Sequence, residues 1–261
     1  FGDVPHSISY IGDDSFTFIS NSKLYLYSND RIFPTAFKNV NSIAFDGVDF
    51  FIVDNKLRLY SIESNDFSEK LSIQSLSTLQ NIIQIEFFLD FLFIIDNQGL
   101  HIKKPSTNLN KMFDVEAFKI ERAKSFVIFQ KSQRNSNSMR IVVLTEDNDF
   151  LYFKFCSNSI DQKLILLNEN KLRVQIKMMR NWFDFIFLVL DNGSLAVCKF
   201  IKKELFFMRT MIEKGLPITN IEINKNYIWI VFNQKIISVF IPNFDCEQLE
   251  LVAEDEGFYT C

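Results

Sequence analysis

The stretch Phe187–Val197 decides how this chain folds: it reads Phe-Leu-Val-Leu, then Asp-Asn-Gly-Ser, then Leu-Ala-Val. Aromatic and branched side chains suit a pleated, half-buried strand, and Asn and Gly tolerate the left-handed backbone of tight turns. The stretch therefore predicts a β-hairpin. The same order of strand, polar turn and strand recurs at residues 16–27, 50–60, 92–102, 141–153 and 229–239.

The spacing of these hairpins is nearly regular. Their turn asparagines stand 34, 42, 51, 44 and 41 residues apart, at Asn21, Asn55, Asn97, Asn148, Asn192 and Asn233. A short alternating strand precedes each hairpin, at residues 7–11, 40–45, 82–87, 115–120, 174–178 and 218–223. A looser strand follows each one, at residues 31–37, 70–73, 111–115, 163–167, 204–208 and 249–252. Four strands in about 42 residues are typical of one β-propeller blade.

The repeat predicts an all-β chain that forms a single β-propeller domain. We expect about six four-stranded blades, at residues 6–37, 38–80, 81–114, 115–170, 171–215 and 216–256. The alternative is seven blades, one of them incomplete. A β-sandwich is less favoured because its strands have no four-strand period. A short helix is expected at most within residues 68–80.

A strand of the form apolar-x-x-Ile opens several repeats, as in Val40–Ile43 and Ile218–Ile221. Followed by its hairpin, this pattern resembles the WD-repeat propellers and the regulator-of-chromosome-condensation type. The WD dipeptides Gly-His and Trp-Asp are absent, and seven glycines are few for the second type. The resemblance implies binding of partners through blade faces and rim, as a subunit of a multisubunit eukaryotic complex.

Composition limits the class of protein and its compartment. Of the 261 residues 48% are hydrophobic, which excludes a disordered chain, and the net charge of −4 excludes a general basic field for nucleic acid. No run reaches the roughly 18 apolar residues of a membrane helix. The four cysteines are scattered, as is typical of thiols in a reducing compartment, at Cys156, Cys198, Cys246 and Cys261. We therefore expect an intracellular protein, cytoplasmic or nuclear, with no membrane span.

Catalytic motifs are missing from the sequence. His6 and His101 are the only histidines, and no metal-ligand spacing surrounds either of them. Glycine-rich phosphate loops, the hydrolase elbow and the aspartate turns of propeller glycosidases are absent as well. The carboxylate clusters fall in predicted turns, where solvation is their ordinary role. We expect no enzyme activity, no metal and no cofactor.

Two segments are candidates for partner binding. The fourth repeat is the longest, and its polar insert at residues 131–140 carries Lys131, Arg134 and Arg140 with no acidic residue. Such an insert suits an acidic partner. The segment Met178–Phe183 contains Arg180 and Trp182, which are residue types enriched at interfaces.

These features favour a non-enzymatic scaffold that binds other protein subunits. The alternative is an accessory propeller subunit of an RNA-modifying or GTPase nucleotide-exchange system, which would use the basic insert. Nucleic acid is the less favoured partner.

Overall fold

The computed structural model describes most of the chain as β-strands. The described residues are 6–12, 15–28, 31–45, 49–54, 58–63, 71–75, 79, 81–106, 112–130, 138–157, 162–201, 204–212, 216–223, 227–232, 236–242 and 249–256. Within these ranges there is no helix, and so none that is long and apolar enough to cross a membrane. The chain divides into two compact units between Ala123 and Lys124.

The first unit contains three antiparallel four-stranded sheets, each in sequential strand order. The first sheet is β1 (His6–Gly12), β2 (Ser15–Ser20), β3 (Lys23–Ser28) and β4 (Arg31–Lys38). The second is β5 (Val40–Phe45), β6 (Asp49–Asp54), β7 (Arg58–Glu63) and β8 (Leu71–Ser75). The third is β9 (Gln84–Phe88), β10 (Phe91–Asp96), β11 (Gly99–Pro105) and β12 (Met112–Lys119).

The second unit repeats this plan, although its first strand begins one residue before the division. The fourth sheet is β13 (Ala123–Gln130), β14 (Ser138–Thr145), β15 (Asp149–Cys156) and β16 (Lys163–Lys171). The fifth is β17 (Ile176–Trp182), β18 (Phe185–Leu190), β19 (Leu195–Ile201) and β20 (Glu204–Ile212). The sixth is β21 (Ile218–Ile223), β22 (Ile228–Phe232), β23 (Ile236–Pro242) and β24 (Leu249–Glu256).

The predicted all-β propeller fold is confirmed, and the described strands form six blade-like sheets. Each predicted hairpin joins the second and third strands of one sheet. Four of the hairpin turns lie within the described residues. The turns at Asn55 and Asn233 lie outside them, although the strands on either side pair as expected.

Two assignments from the sequence were wrong. Residues 115–120, predicted to open the fourth repeat, belong mostly to β12, the last strand of the third sheet. The fourth sheet instead opens with β13, after a turn at Arg122 in the left-handed conformation (φ 56°). The sequence pattern did not indicate this turn, because Arg is not a typical turn residue. The expected short helix at residues 68–80 is also wrong, because this stretch contains β8.

The core lies between consecutive sheets of each unit. The second strands β10 and β18 are buried along their whole length, and apart from Asp96 at the end of β10 their residues are apolar. The predicted burial of four isoleucines in the first strands is confirmed, since Ile43, Ile85, Ile176 and Ile221 are at most 4% exposed. Their predicted equivalence holds for Ile43, Ile85 and Ile221 but is wrong for Ile176, which precedes the bulge of its strand as Val40 and Ile218 do.

The fourth strand of every described sheet carries a β-bulge. Between paired residues, β4, β8, β12, β16, β20 and β24 each contain at least one residue more than the third strand opposite. Bulges twist an edge strand and interrupt its row of hydrogen-bonding groups. They also accompany exposed apolar side chains on these edges, such as Phe206, Phe207 and Leu251.

The first strands carry bulges as well, and these are tied to contacts between sheets. The extra residue is Asn41 in β5 and Lys177 in β17. The Asn41 amide donates to the carbonyl of Ile82 (3.1 Å), and the Lys177 ammonium donates to that of Ile218 (3.4 Å). Lys124 in β13 donates in the same way to the carbonyl of Ile176 (2.5 Å). Each side chain thus binds the backbone at the start of the next first strand or, for Asn41, two residues before it.

Candidate functional site

The hairpin loop between β17 and β18 carries the most exposed large apolar side chain among the described residues. This loop is Phe183 and Asp184, and the Phe183 side chain is 67% exposed. Its backbone is left-handed (φ 49°), a conformation that is costly for a bulky residue and that Gly or Asn would ordinarily occupy. The ring is held edge-on against Trp182, with centroids 4.9 Å apart. The loop therefore presents an aromatic ring to solvent in a defined position.

On one side of this loop, β17 faces the sixth sheet. The Arg180 guanidinium donates two hydrogen bonds to the Glu222 carboxylate, at 3.0 and 3.3 Å, and a third to the carbonyl of Met179. Trp182 is half-buried and packs against the apolar layer between the fifth and sixth sheets. Both side chains are therefore held in place by neighbouring groups, and the Phe183 ring packs against the Trp182 ring.

On the other side of the loop, the fourth sheet contributes Arg140 from β14 and Tyr152 from β15. Arg140 donates a hydrogen bond to the Tyr152 hydroxyl, and Asp184 lies close enough to act on that hydroxyl electrostatically. The Asn181 amide donates to the carbonyl of Ile128 and fastens β17 to the fourth sheet (3.1 Å). Arg140 and Lys154 are paired directly across β14 and β15.

Burial raises the pKa of Tyr152 above its ordinary value of 10.0, and the negative charge of Asp184 adds to this effect. The positive charge of Arg140 and its hydrogen bond act in the opposite direction, because both favour the phenolate. The net shift is upward, so Tyr152 is a neutral phenol at physiological pH. We infer that it serves to orient the guanidinium of Arg140 and does not exchange a proton.

The residues predicted from the sequence occupy different settings. Lys131 and Arg134 lie outside the described residues. Arg140 stands in a strand and not in a loop, while Arg180 and Trp182 lie together on one face of β17. Sequence reasoning did not single out Phe183, Tyr152 or Glu222. A signal for Phe183 existed, because a large aromatic residue occupies a two-residue hairpin loop.

Other reactive groups have structural roles. The buried Asp96 carboxylate accepts hydrogen bonds from the amides of Gln98 and Gly99 and lies 2.9 Å from Nε2 of His101. The pair therefore closes the turn between β10 and β11. Burial raises the pKa of the Cys198 thiol to about 12, which leaves it unreactive at neutral pH. No cluster of three or more His, Cys, Asp or Glu suited to a metal ion occurs among the described residues.

No family model matches this sequence, and no curated protein matches it either. Solved structures do match in fold. A protein from Lactobacillus plantarum is similar with a TM-score of 0.70 and 10% identity over 97% of this chain and 85% of that one. YCF48 bound to D1 peptide is similar with a TM-score of 0.61 and 11% identity, over 96% and 81% of the two chains.

The WD40 domain of SCAP from fission yeast is also similar. Its TM-score is 0.62 at 10% identity, over 84% of this chain and 52% of that one. A complex of the fission yeast SREBP and SCAP binding domains gives the same TM-score, over 87% and 64%. The resemblance to WD-repeat propellers is therefore confirmed at the level of the fold. This chain is a divergent β-propeller.

Proposed function

We propose that the chain is a non-enzymatic scaffold that binds protein partners, with the loop between β17 and β18 as a contact site. The observation that carries this proposal is Phe183, a solvent-exposed aromatic ring held in left-handed backbone. An L-residue in this conformation costs about 1–2 kcal/mol, and exposure of the ring gives no compensating burial. Phe183 in this position lowers the stability of the free protein. Burial of its ring against a partner would account for its presence there.

Its neighbours fit the same role. Aromatic and Arg side chains in fixed positions dominate the binding energy of protein interfaces. Trp182 and the Arg180–Glu222 pair are fixed in this way beside Phe183. The fold supports the proposal by analogy, since YCF48 was solved with bound D1 peptide and SCAP in complex with SREBP.

The finer part of the proposal is a subunit of a multisubunit eukaryotic complex inside the cell. Two observations support the intracellular setting. Cys156 and Cys198 both carry free thiols, and the buried Cys198 adds to the apolar layer between the fourth and fifth sheets. Free cysteines used in this way are ordinary in a reducing compartment.

Photo-crosslinking tests the scaffold directly. A benzophenone side chain replaces Phe183 in the full chain, and a control chain carries the same group at Val174, which is also exposed. Extracts of the cells that express the protein are then irradiated, and the products are identified by mass spectrometry. We expect discrete protein adducts from position 183 alone. RNA adducts, or identical products from both positions, would contradict the proposal.

A second measurement separates binding from folding. Phe183→Gly removes the ring and suits the left-handed backbone, so the free energy of unfolding should stay within about 1 kcal/mol of the original. Capture of the crosslinked partner should be lost. Leu89→Gly is the matched control, because Leu89 is an exposed residue with φ 45° in the equivalent loop between β9 and β10. It should leave capture unchanged.

A further inference from the structure

Two hydrogen-bond donors of the Arg140 side chain are buried. Its Nε and Nη1 atoms are buried and find no hydrogen-bond partner among the described residues. The side chain as a whole is half-buried, so part of it reaches the surface. A buried donor without an acceptor lowers the stability of the folded protein, and the effect is larger when the donor is charged.

A second cation faces the same space. Arg140 pairs directly with Lys154 across β14 and β15, and directly opposed residues lie on the same face of a sheet. Lys154 is half-buried too, and no ion pair of either residue occurs within the part of the chain that the structure describes. Two like charges at opposed positions repel each other, and an anion between them would remove that repulsion.

The surroundings indicate which anion fits. Asp184 contributes one negative charge near Tyr152, so two cations and one carboxylate leave a local charge of about +1. That balance suits a single carboxylate, which accepts two parallel hydrogen bonds from a guanidinium. It disfavours a polyanion, as does the net charge of −4 on the chain. The exposed Phe183 beside Asp184 offers an apolar contact to the residue next to that carboxylate.

We propose that Arg140 and Lys154 receive the carboxylate of a Glu or Asp side chain from a protein partner, next to an apolar residue that packs on Phe183. This inference rests on the proposed scaffold function and gives it a chemical class of partner. Tyr152 is a positioning residue, because its hydroxyl holds the guanidinium toward the site.

The test uses two capped peptides as probes, acetyl-Leu-Glu-Leu-Leu-amide and the same peptide with Gln in place of Glu. Binding to the full chain is followed by NMR at the arginine Nε–H resonances and by titration calorimetry. We expect the Glu peptide to bind at least about 10-fold more tightly, since a charge-assisted bidentate pair has about this effect or more. The Arg140 resonance should move with the Glu peptide and not with sodium chloride of equal ionic strength.

Substitutions show which side chains are responsible for the preference for the Glu peptide. Arg140→Gln and Lys154→Gln should each reduce the preference for Glu over Gln, and Arg140→Gln should abolish it. Tyr152→Phe should weaken it by a few-fold, because the hydroxyl only orients the guanidinium. Arg209→Gln is the matched control, since Arg209 is exposed on β20, and it should change the preference by less than about 2-fold. Circular dichroism confirms that each variant is folded.

Equal binding of the two peptides, or equal effects of Arg140→Gln and Arg209→Gln, would overturn the inference. Tighter binding of an oligouridine probe that also depends on Arg140 would overturn it in favour of a phosphate site. Neither result bears on the proposed scaffold function, which is tested separately by crosslinking at position 183. If crosslinking there fails while the Glu preference holds, the proposed function falls and the carboxylate site remains.

Discussion

At the scale of single residues, buried isoleucines of the first strands pack in the layers between sheets. Ile221→Ala should lower the free energy of unfolding by about 2–5 kcal/mol, because the fully buried side chain leaves a cavity in the layer. Ile32→Ala on the exposed edge β4 is the control and should cost less than about 1 kcal/mol. Urea denaturation measures both. A similar loss in the two variants would show that this layer is not a close-packed core.

Two turn glycines differ in the space around them. A methyl group at Gly99 would collide with the carbonyl oxygen of Phe118, whereas at Gly193 it would lie 3.0 Å from Cα of Pro217. Both glycines have positive φ, so either substitution costs about 1–2 kcal/mol from the backbone alone. Gly99→Ala should therefore shift the melting temperature further down than Gly193→Ala. The reverse order would argue against the close approach of β11 and β12.

At the scale of elements, side chains of the first strands bind backbone carbonyls of the next sheet. Lys124→Met keeps the length of the side chain but removes the donor to the carbonyl of Ile176, and it should cost about 1–3 kcal/mol. Lys119→Met is the matched control, because Lys119 is 80% exposed and its ion pair with Glu121 lies at the surface. Thermal unfolding compares the two. An equal loss of stability in the two variants would show that the Lys124 hydrogen bond contributes no more than a surface ion pair.

The elements themselves were largely predictable. Hairpin turns and apolar strands follow from local chemistry, so the second and third strands were placed correctly, although β14, β15 and β19 extend three or four residues beyond the predicted runs. The contacts of Asn41, Lys124 and Lys177 were not predictable, because three bonds of the same kind use two different residue types. The turn at Arg122 was missed for a related reason. Tertiary packing imposes its left-handed backbone on a residue that has no preference for it.

At the scale of the whole molecule, stability should fall in alkaline solution. Burial raises the pKa of Cys198 from 9.0 to about 12, so the folded state keeps a proton that the unfolded state loses. This contribution is complete below about pH 9 and is lost as pH rises toward 12, at about 1.4 kcal/mol for each pH unit. Tyr152 acts in the same direction above pH 10.

Urea denaturation at pH 8, 9.5 and 10.5 measures this dependence. Cys198→Ala should lower stability at pH 8 through its cavity but should also make the pH dependence shallower. An unchanged slope in that variant would assign the alkaline loss to other groups.

The candidate site was less predictable than the fold. The sequence indicated Arg140 through the basic composition of the insert at residues 131–140, and it indicated Arg180 and Trp182 through residue type, since Arg and Trp are common at interfaces. Sequence reasoning did not pair Arg140 with Lys154, because it assigned Arg140 to the insert at residues 131–140, whereas β14 begins at Ser138 and carries the hairpin register through Arg140. Nor could it find Glu222, which lies 42 residues from Arg180 and on another sheet.

The bulged fourth strands have a consequence for how the chain reaches its native state. During synthesis, six similar repeats emerge in sequence, and a finished hairpin could pair with a strand from the wrong repeat. Such exchange needs an uninterrupted row of amides and carbonyls on the strand that is joined. An extra residue on each fourth strand breaks that row. We therefore expect the irregularities to disfavour shuffling of repeats within the nascent chain.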